Sequence, residues 1–130
     1  MSPVQSHVAV YQGVEATTAE PARLVLLLFD GAARFLRQAQ QALARGDSAG
    51  FARSASRAHA IIDELDGSLN PEVGGELVEN LHGLYDFMLR HLAKAMGERS
   101  RGHLEQVLAL LQPLREGFEG AAKAIRHERR

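Results

Sequence analysis

The clearest helical signal in the chain reads Thr18-Ala-Glu-Pro-Ala-Arg-Leu-Val-Leu-Leu-Leu-Phe-Asp-Gly-Ala32. Pro21 suits the first turn of a helix, because its missing N–H would have no intrahelical partner there. Thr17 and Glu20 have the spacing of a capping box at the same end. We therefore predict that the first long helix begins at Pro21 and extends to about Arg45.

Apolar residues recur along this helix with the period of one helical face. We predict a core-facing stripe of Leu24, Leu28, Phe35, Ala39 and Ala42, widened by Val25, Leu36 and Leu43. Leu26 and Leu27 lie between stripe positions, and Ile61 and Phe87 are similar extra apolar residues in later helices. This surplus has two interpretations: a broad face that meets two neighbouring helices, or an exposed patch that binds a partner.

Three further amphipathic helices follow, separated by turn signals. Gly46 should end the first helix, and Asp47 or Ser48 should cap the second, which extends over about 49–69. A turn over 70–75 precedes the third helix, which reaches about residue 96, and a turn over 97–101 precedes the last. The predicted stripes of these three helices are Phe51, Ala55, Ala58, Ile62, Leu65 and Leu69; Leu77, Leu81, Leu84, Tyr85, Met88 and Leu92; and Leu104, Val107, Leu108, Leu111, Leu114, Phe118, Ala121 and Ile125.

The predicted fold class is all-α, an antiparallel up-down-up-down four-helix bundle with a short N-terminal arm or helix. Helices of about twenty residues joined by short turns pack in this way. We assign residues 1–19 to the arm and residues 20–130 to the bundle, as a single domain. In the last helix, Pro113 removes one backbone hydrogen bond and should kink the helix, and Phe118 should be a buried anchor.

The composition of the chain limits its function. With 130 residues, 45% of them hydrophobic, and a net charge of −1, the chain has the balance of a soluble domain and no bulk attraction to nucleic acid or anionic membranes. The basic segment over 123–130 suits the C-terminal end of a helix. No cysteine is available for thiol chemistry, and the longest apolar run is too short for a membrane span. We expect a cytoplasmic protein without membrane insertion.

Catalytic and metal-binding patterns are weak. Glu79 and His82 form one Glu-x-x-His pair, but a di-iron bundle needs two such pairs and two further glutamates. His82 and Asp86 are one helical turn apart, which is typical of a surface pair. No nucleophile elbow, phosphate loop or dinucleotide fingerprint occurs. We therefore predict no enzyme activity, no metal and no cofactor.

Two distant segments carry a family resemblance. They are residues 18–32, quoted above, and Gly74-Gly-Glu-Leu-Val-Glu-Asn-Leu-His-Gly-Leu-Tyr-Asp-Phe-Met88, with Tyr11 upstream and Ala60-Ile-Ile-Asp-Glu-Leu65 between them. Together they resemble the FliS family of flagellar secretion chaperones, from about Val8 to Phe118. The resemblance implies a cytoplasmic export chaperone that holds the disordered C-terminal segment of flagellin in apolar grooves between helices. Export-gate components and other flagellar regulators are further candidate partners.

The resemblance also implies positions for the site. In such proteins a tyrosine on the N-terminal arm, with an apolar residue three positions earlier, lies against the bundle, and Tyr11 and Val8 occupy these positions. The candidate residues that contact flagellin are Val8, Tyr11, Val25, Ile61, Leu65 and Leu84. Two alternatives stay open: a helical-bundle module for another flagellar client or regulator, and, more remotely, a metal-binding bundle.

Overall fold

The protein is a bundle of helices in which the N-terminal arm touches the core. The computed structural model describes Val10, Tyr11 and residues 19–128, with side chains described for the first two, for 22–72 and for 75–124. Within this part of the chain there are four long helices, α1 (Ala19–Ala44), α2 (Ser48–Gly67), α4 (Glu76–Glu98) and α5 (Arg101–Glu128), and one short helix, α3 (Pro71–Gly74). The predicted all-α fold class is confirmed.

The long helices form a closed square. α1 packs against α2 and α5, and α4 packs against the same two helices, so that α1 and α4 are diagonal to each other. Short turns between helices that are adjacent in sequence and in space require an antiparallel arrangement. The largest fully buried side chains are Tyr85, Phe29, Leu36, Ile62, Leu65, Met88, Leu92, Leu104, Leu111, Val10 and Val107.

Local signals fix the turn between α1 and α2. Gly46 has a φ of +74°, a conformation that lacks a steric penalty only for glycine. The Asp47 side chain accepts a hydrogen bond from the Gly50 N–H at 2.9 Å and caps α2, as predicted. This hydrogen bond also holds the pKa of Asp47 below its usual value. The predicted cap at Thr17 lies outside the described residues.

The turn between α4 and α5 differs from the prediction. We expected Gly97 to begin it, but Gly97 lies inside α4, which continues to Glu98. Arg99 instead adopts the left-handed conformation, with a φ of 53°. Its N–H donates to the carbonyl of Ala95, which closes the helix as glycine would in a typical cap. The prediction was wrong because glycine adopts this left-handed conformation most readily, and the helix end was therefore placed at Gly97.

The core stripe predicted for α1 is only partly correct. Val25, Leu36, Ala39 and Ala42 are buried as predicted, but the first turns of the stripe are rotated. Leu24 is 65% exposed, whereas Phe29, absent from the prediction, is 1% exposed. Leu28 and Phe35 are only partly buried. The residues of α1 that are buried are Ala22, Val25, Phe29, Ala32, Ala33, Leu36, Ala39 and Ala42. Contacts with α2, α5 and the arm select this face, and none of these contacts is visible in the helix period.

The last helix agrees with the prediction at most of its described stripe positions. Leu104, Val107, Leu111 and Ala121 are buried, Leu108 and Leu114 are partly buried, and the side chain of Ile125 lies outside the described residues. Phe118 is 3% exposed and is confirmed as a buried anchor. α5 continues as a helix through Pro113, and a kink there stays a prediction. On the outer surface, Arg115 donates to Asp30 of α1 at 2.6 Å, an ion pair that joins α5 to α1. Arg115 also contacts Glu119, one turn further along α5, at 2.5 Å.

Candidate functional site

The arm is joined to the bundle by backbone contacts beside the end of α2. The N–H of Asn70 donates to the carbonyl of Val10 at 2.6 Å, and Tyr11 forms an isolated antiparallel bridge with Leu69. Both Val10 and Tyr11 are buried. These contacts direct the Tyr11 side chain into the bundle, so the arm contributes to the core.

Tyr11 is the centre of an aromatic cluster, which we define as Tyr11, Phe29, Tyr85 and Phe118. Its ring lies edge-on to Phe29 and Phe118, with centroid distances of 6.4 and 5.5 Å. These edge-to-face distances lie in the favourable range for aromatic pairs. Its hydroxyl shares a hydrogen bond with the Tyr85 hydroxyl, at 2.5 Å.

Burial controls the protonation of the two tyrosines. It raises the pKa of Tyr11 from 10.0 to about 12, although the hydrogen bond to Tyr85 opposes that effect. Burial is also the main cause of the raised pKa of Tyr85. Both hydroxyls are therefore neutral at physiological pH. They satisfy each other inside an apolar cluster, which is a structural arrangement and provides no activated nucleophile.

A cavity opens beside this cluster, between α4 and α5. Its volume is about 220 Å³, and it is lined by Tyr11, Leu77, Asn80, Leu81, Leu84, Pro113, Leu114, Gly117 and Phe118. A Cβ atom built on Gly117 would have no heavy atom within 4 Å, apart from its own chain neighbours and the helix backbone. The absent side chain of Gly117 therefore leaves space on this side of α5. We call this feature the α4–α5 cavity.

A second apolar surface lies on the outer side of α1. We call Leu24 and Leu27 the leucine patch, because their side chains are 65% and 57% exposed. Leu28, one position further along α1, is partly buried against the core. A Cβ atom at Gly31 would lie 3.3 Å from Ile61 Cδ1, so α1 and α2 approach closely at the next turn. The patch therefore lies on a helix that packs closely against α2 one turn further along.

The predicted site residues fall into several places. Tyr11 and Leu84 both line the α4–α5 cavity. Ile61 is partly buried and packs against α1, as described above. Val25 and Leu65 are core residues, 6% and 0% exposed.

These positions do not form one groove, and Val8 lies outside the described residues. Sequence reasoning placed Leu24 in the core and did not select Leu27 as a site residue. Their i, i+3 spacing places both leucines on one side of α1, but no signal in the sequence separates this side from the predicted core stripe, which shares it.

Polar side chains near these surfaces form surface pairs. His82 contacts Asp66 of α2 at 2.6 Å, and not Asp86 as the sequence spacing suggested. Asp86 instead pairs with Arg90 at 3.0 Å. In the part of the chain that the structure describes, no group of three or more His, Asp or Glu side chains could hold a metal ion.

Among the same described residues, no helix is both long and apolar enough to cross a bilayer.

The comparisons with known proteins agree with one another. The family model of the flagellar protein FliS matches residues 4–125. A flagellar secretion chaperone FliS of Bacillus subtilis (strain 168) is 30% identical over 97% of this chain and 93% of its own length. The corresponding protein of Salmonella typhimurium is 37% identical over 78% of this chain and 76% of its own length. A flagellar secretion chaperone FliSB of Pseudomonas aeruginosa is 34% identical over 82% and 84%.

Proposed function

The chain belongs to the FliS family of flagellar proteins, and from this premise we propose that it is a flagellar secretion chaperone that binds the C-terminal segment of flagellin. The observation that carries the proposal is the exposure of Leu24 and Leu27 on a helix that is otherwise well packed. A soluble domain gains nothing for its own stability from such a pair. Contiguous exposed apolar surface on a soluble protein commonly marks a site where a partner binds, and Leu24 and Leu27 would form the centre of such a site.

The leucine patch suits an amphipathic client helix. A client that folds on binding places apolar residues at i, i+3 and i+4 spacing into a groove. Complete burial of one leucine side chain contributes about 1.5–3 kcal/mol, although ordering the client opposes part of this gain. Ile61, partly buried where α2 meets α1, is positioned to extend the contact beyond the patch.

The α4–α5 cavity is the second candidate contact. Its lining is almost wholly apolar, and Asn80 provides one polar side chain at its edge. A volume of about 220 Å³ can accept one or two apolar side chains of a client. Leu84 and Tyr11 would then contact the client directly. Val25 and Leu65, which are core residues, would support the packing of the helices that carry the two candidate surfaces. Val8 stays a candidate contact by its position in the sequence.

Binding of this kind would explain a chaperone role. Flagellin subunits assemble through their terminal helices, so a covered C-terminal segment cannot enter a filament prematurely. The same cover keeps the segment from aggregating before export. Export-gate components are candidate partners of the loaded complex.

The test is calorimetric titration with a flagellin C-terminal peptide from the same organism. We expect Leu27→Asp to weaken binding at least tenfold, about 1.4 kcal/mol, with an unchanged melting temperature. Ala93→Asp is the matched control, because Ala93 is an exposed residue of α4 that lines neither surface. It introduces the same charge and should leave binding unchanged.

A second pair of variants tests the cavity. Gly117→Leu places a side chain where the structure has open space, and Gly120→Leu does the same elsewhere on α5. If the client enters the cavity, only the first variant should weaken binding. Full-strength binding by both Leu27→Asp and Gly117→Leu would overturn the proposed site. Absence of any binding by the wild-type protein would overturn flagellin as the client.

A further inference from the structure

Two histidines meet across the interface of α4 and α5, near the turn that joins these helices. The Nδ1 atoms of His91 and His103 are 3.0 Å apart. The Phe87 ring covers His91, with a centroid distance of 3.9 Å. On the other side, Nε2 of His103 lies 3.4 Å from a carboxylate oxygen of Glu98. Both imidazoles are partly buried, so their contact is part of the helix packing.

The hydrogen bond between the two Nδ1 atoms depends on the number of protons. It forms when one Nδ1 carries a proton and donates it while the other accepts. A second proton would make both Nδ1 atoms donors and would place two cations in contact. Two titratable groups this close take up their protons in separate steps that belong to the pair.

The charged neighbours make the second proton unfavourable. Arg90 and Lys94, on the same helix, add positive potential around His91, and His103 is the titratable group that faces it from α5. Burial is the main cause of the lowered pKa of His91, and these three groups lower it further. Glu98 places a negative charge 3.4 Å from Nε2 of His103, on the side of that ring away from His91.

These surroundings are unsuited to a metal ion. Glu98 faces the other nitrogen of His103, away from the point between the two Nδ1 atoms. The nearby Arg90 and Lys94 would also repel a divalent cation.

We propose that His91 and His103 form a pH-sensitive clasp, which holds α4 and α5 together while it carries at most one proton and opens when it takes up the second. The folded protein then binds fewer protons at this site than the unfolded chain does. The stabilisation from His91 is present above its ordinary pKa of 6.5 and is lost as the pH falls through its lower value in the folded state. Acidification should loosen the two helices near their common turn.

The experiment compares urea unfolding midpoints at about pH 7.5 and about pH 5. His103→Asn introduces a side-chain amide that can hydrogen-bond to His91, and it removes the second titratable group of the pair. We expect the acid-induced fall of the midpoint to be markedly smaller in this variant than in the wild-type protein. His59→Asn, which removes a histidine of α2 outside the pair, is the control and should show the wild-type fall.

Nuclear magnetic resonance of the wild-type protein supplies a measurement that needs no variant. The His91 ring should titrate below pH 6.5, and its resonances should respond to both protonation steps of the pair. Acid should also accelerate the amide exchange of residues 86–98 beyond the intrinsic effect of pH. Equal acid sensitivity in wild-type and His103→Asn proteins, or titration of His91 at or above 6.5, would overturn the proposal. None of these measurements involves a client.

Discussion

α1 has two apolar faces, of which one is buried and the other is exposed. On one face Phe29 is 1% exposed and contacts the rings of Tyr11 and Phe118. On the other, Leu24 and Leu27 are more than half exposed. The two faces are similar in residue type, so hydrophobicity alone does not separate them. The difference lies in what packs against each face: the arm and α5 cover the first, and the second has no comparable cover among the described residues.

This difference separates the residues that hold the fold from those available to a partner. A buried aromatic ring contributes to stability through its transfer from water and through close packing. An exposed leucine makes neither contribution until another molecule covers it. Substitutions on the two faces should therefore affect different measurements.

The largest effect on stability should come from Phe118→Ala. Removal of a buried Phe side chain commonly destabilises a protein by about 3–5 kcal/mol, because it leaves a cavity and loses packing. This loss is a large fraction of the stability of an ordinary small domain. We expect a strong fall in the urea midpoint and melting temperature. Phe87→Ala is the matched control, because Phe87 is 38% exposed and its truncation should cost much less. Equal effects of the two variants would contradict the comparison.

The tyrosine pair should give the next largest effect. Tyr11→Phe leaves the buried Tyr85 hydroxyl without its partner and should destabilise the protein by about 1–3 kcal/mol. Tyr85→Phe should do the same, but the double variant should cost less than the sum, since it removes both polar groups. Urea unfolding of the four proteins gives the coupling. Additive losses would show that the hydroxyls do not depend on each other.

Titration provides an independent measurement of the same pair. The chain contains two tyrosines and no tryptophan, so tyrosinate absorbance reports on this pair alone. Burial raises the pKa of Tyr11 to about 12, whereas an unfolded tyrosine titrates near 10. The unfolded state therefore loses protons first, and stability should fall as the pH rises above 10. A normal tyrosine titration in the folded protein would show that the arm is not packed as described.

The sequence predicted which segments form helices better than it predicted which face of each helix is buried. Periodicity gave the helices, Asp47 gave the cap of α2, and the stripe of α2 from Phe51 to Leu65 is buried as predicted. These features depend on interactions within one helix or one turn. The α1 stripe was wrong at Leu24 and Phe29, because Phe29 packs against Tyr11 and Phe118, which are distant in sequence. Similarly, the contact between Val10 and Asn70 has no local signature.

The candidate site was harder to predict for the same reason. A binding surface consists of residues that the core does not use, so it can be found only after the core face is known. Because the first turns of the predicted α1 stripe were rotated, Leu24 was assigned to the core. Leu27 was one of several apolar residues beyond those that the core required. The space beside Gly117 depends on how α4 and α5 pack, which the sequence of neither helix specifies.

The leucine patch should give a small effect on stability. Leu24→Ser and Leu27→Ser remove apolar side chains that are mainly in water, so each should change the free energy of unfolding by less than about 0.5 kcal/mol. The same variants should lower affinity for the client peptide. Val25→Ser, on the buried face of the same helix, is the contrasting variant and should destabilise clearly. If the two leucine variants unfold the protein, the patch belongs to the core.

The smallest effect should come from His82 and Asp66, a pair that lies on the surface. The hydrogen bond and charge of Asp66 raise the pKa of His82 above its ordinary 6.5, and Asp86 adds to this effect. The sign is opposite to that of His91. Stabilisation from His82 is fully present below pH 6.5 and is lost as the pH rises through its raised value in the folded state. Because the His82 side chain is 63% exposed, water and salt screen the pair.

The measurement is a histidine titration by nuclear magnetic resonance, in which His82 should titrate above 6.5. Asp66→Asn removes the charge but leaves an oxygen that can accept the hydrogen bond, so it should move the titration only part of the way back. Asp63→Asn, an exposed acid of α2 outside the pair, should leave it unchanged. The urea midpoint should scarcely respond to any of these variants. A large loss of stability in Asp66→Asn would mean that this pair supports the packing of α2 against α4. Exposed side chains of this interface would then contribute to the fold as buried ones do.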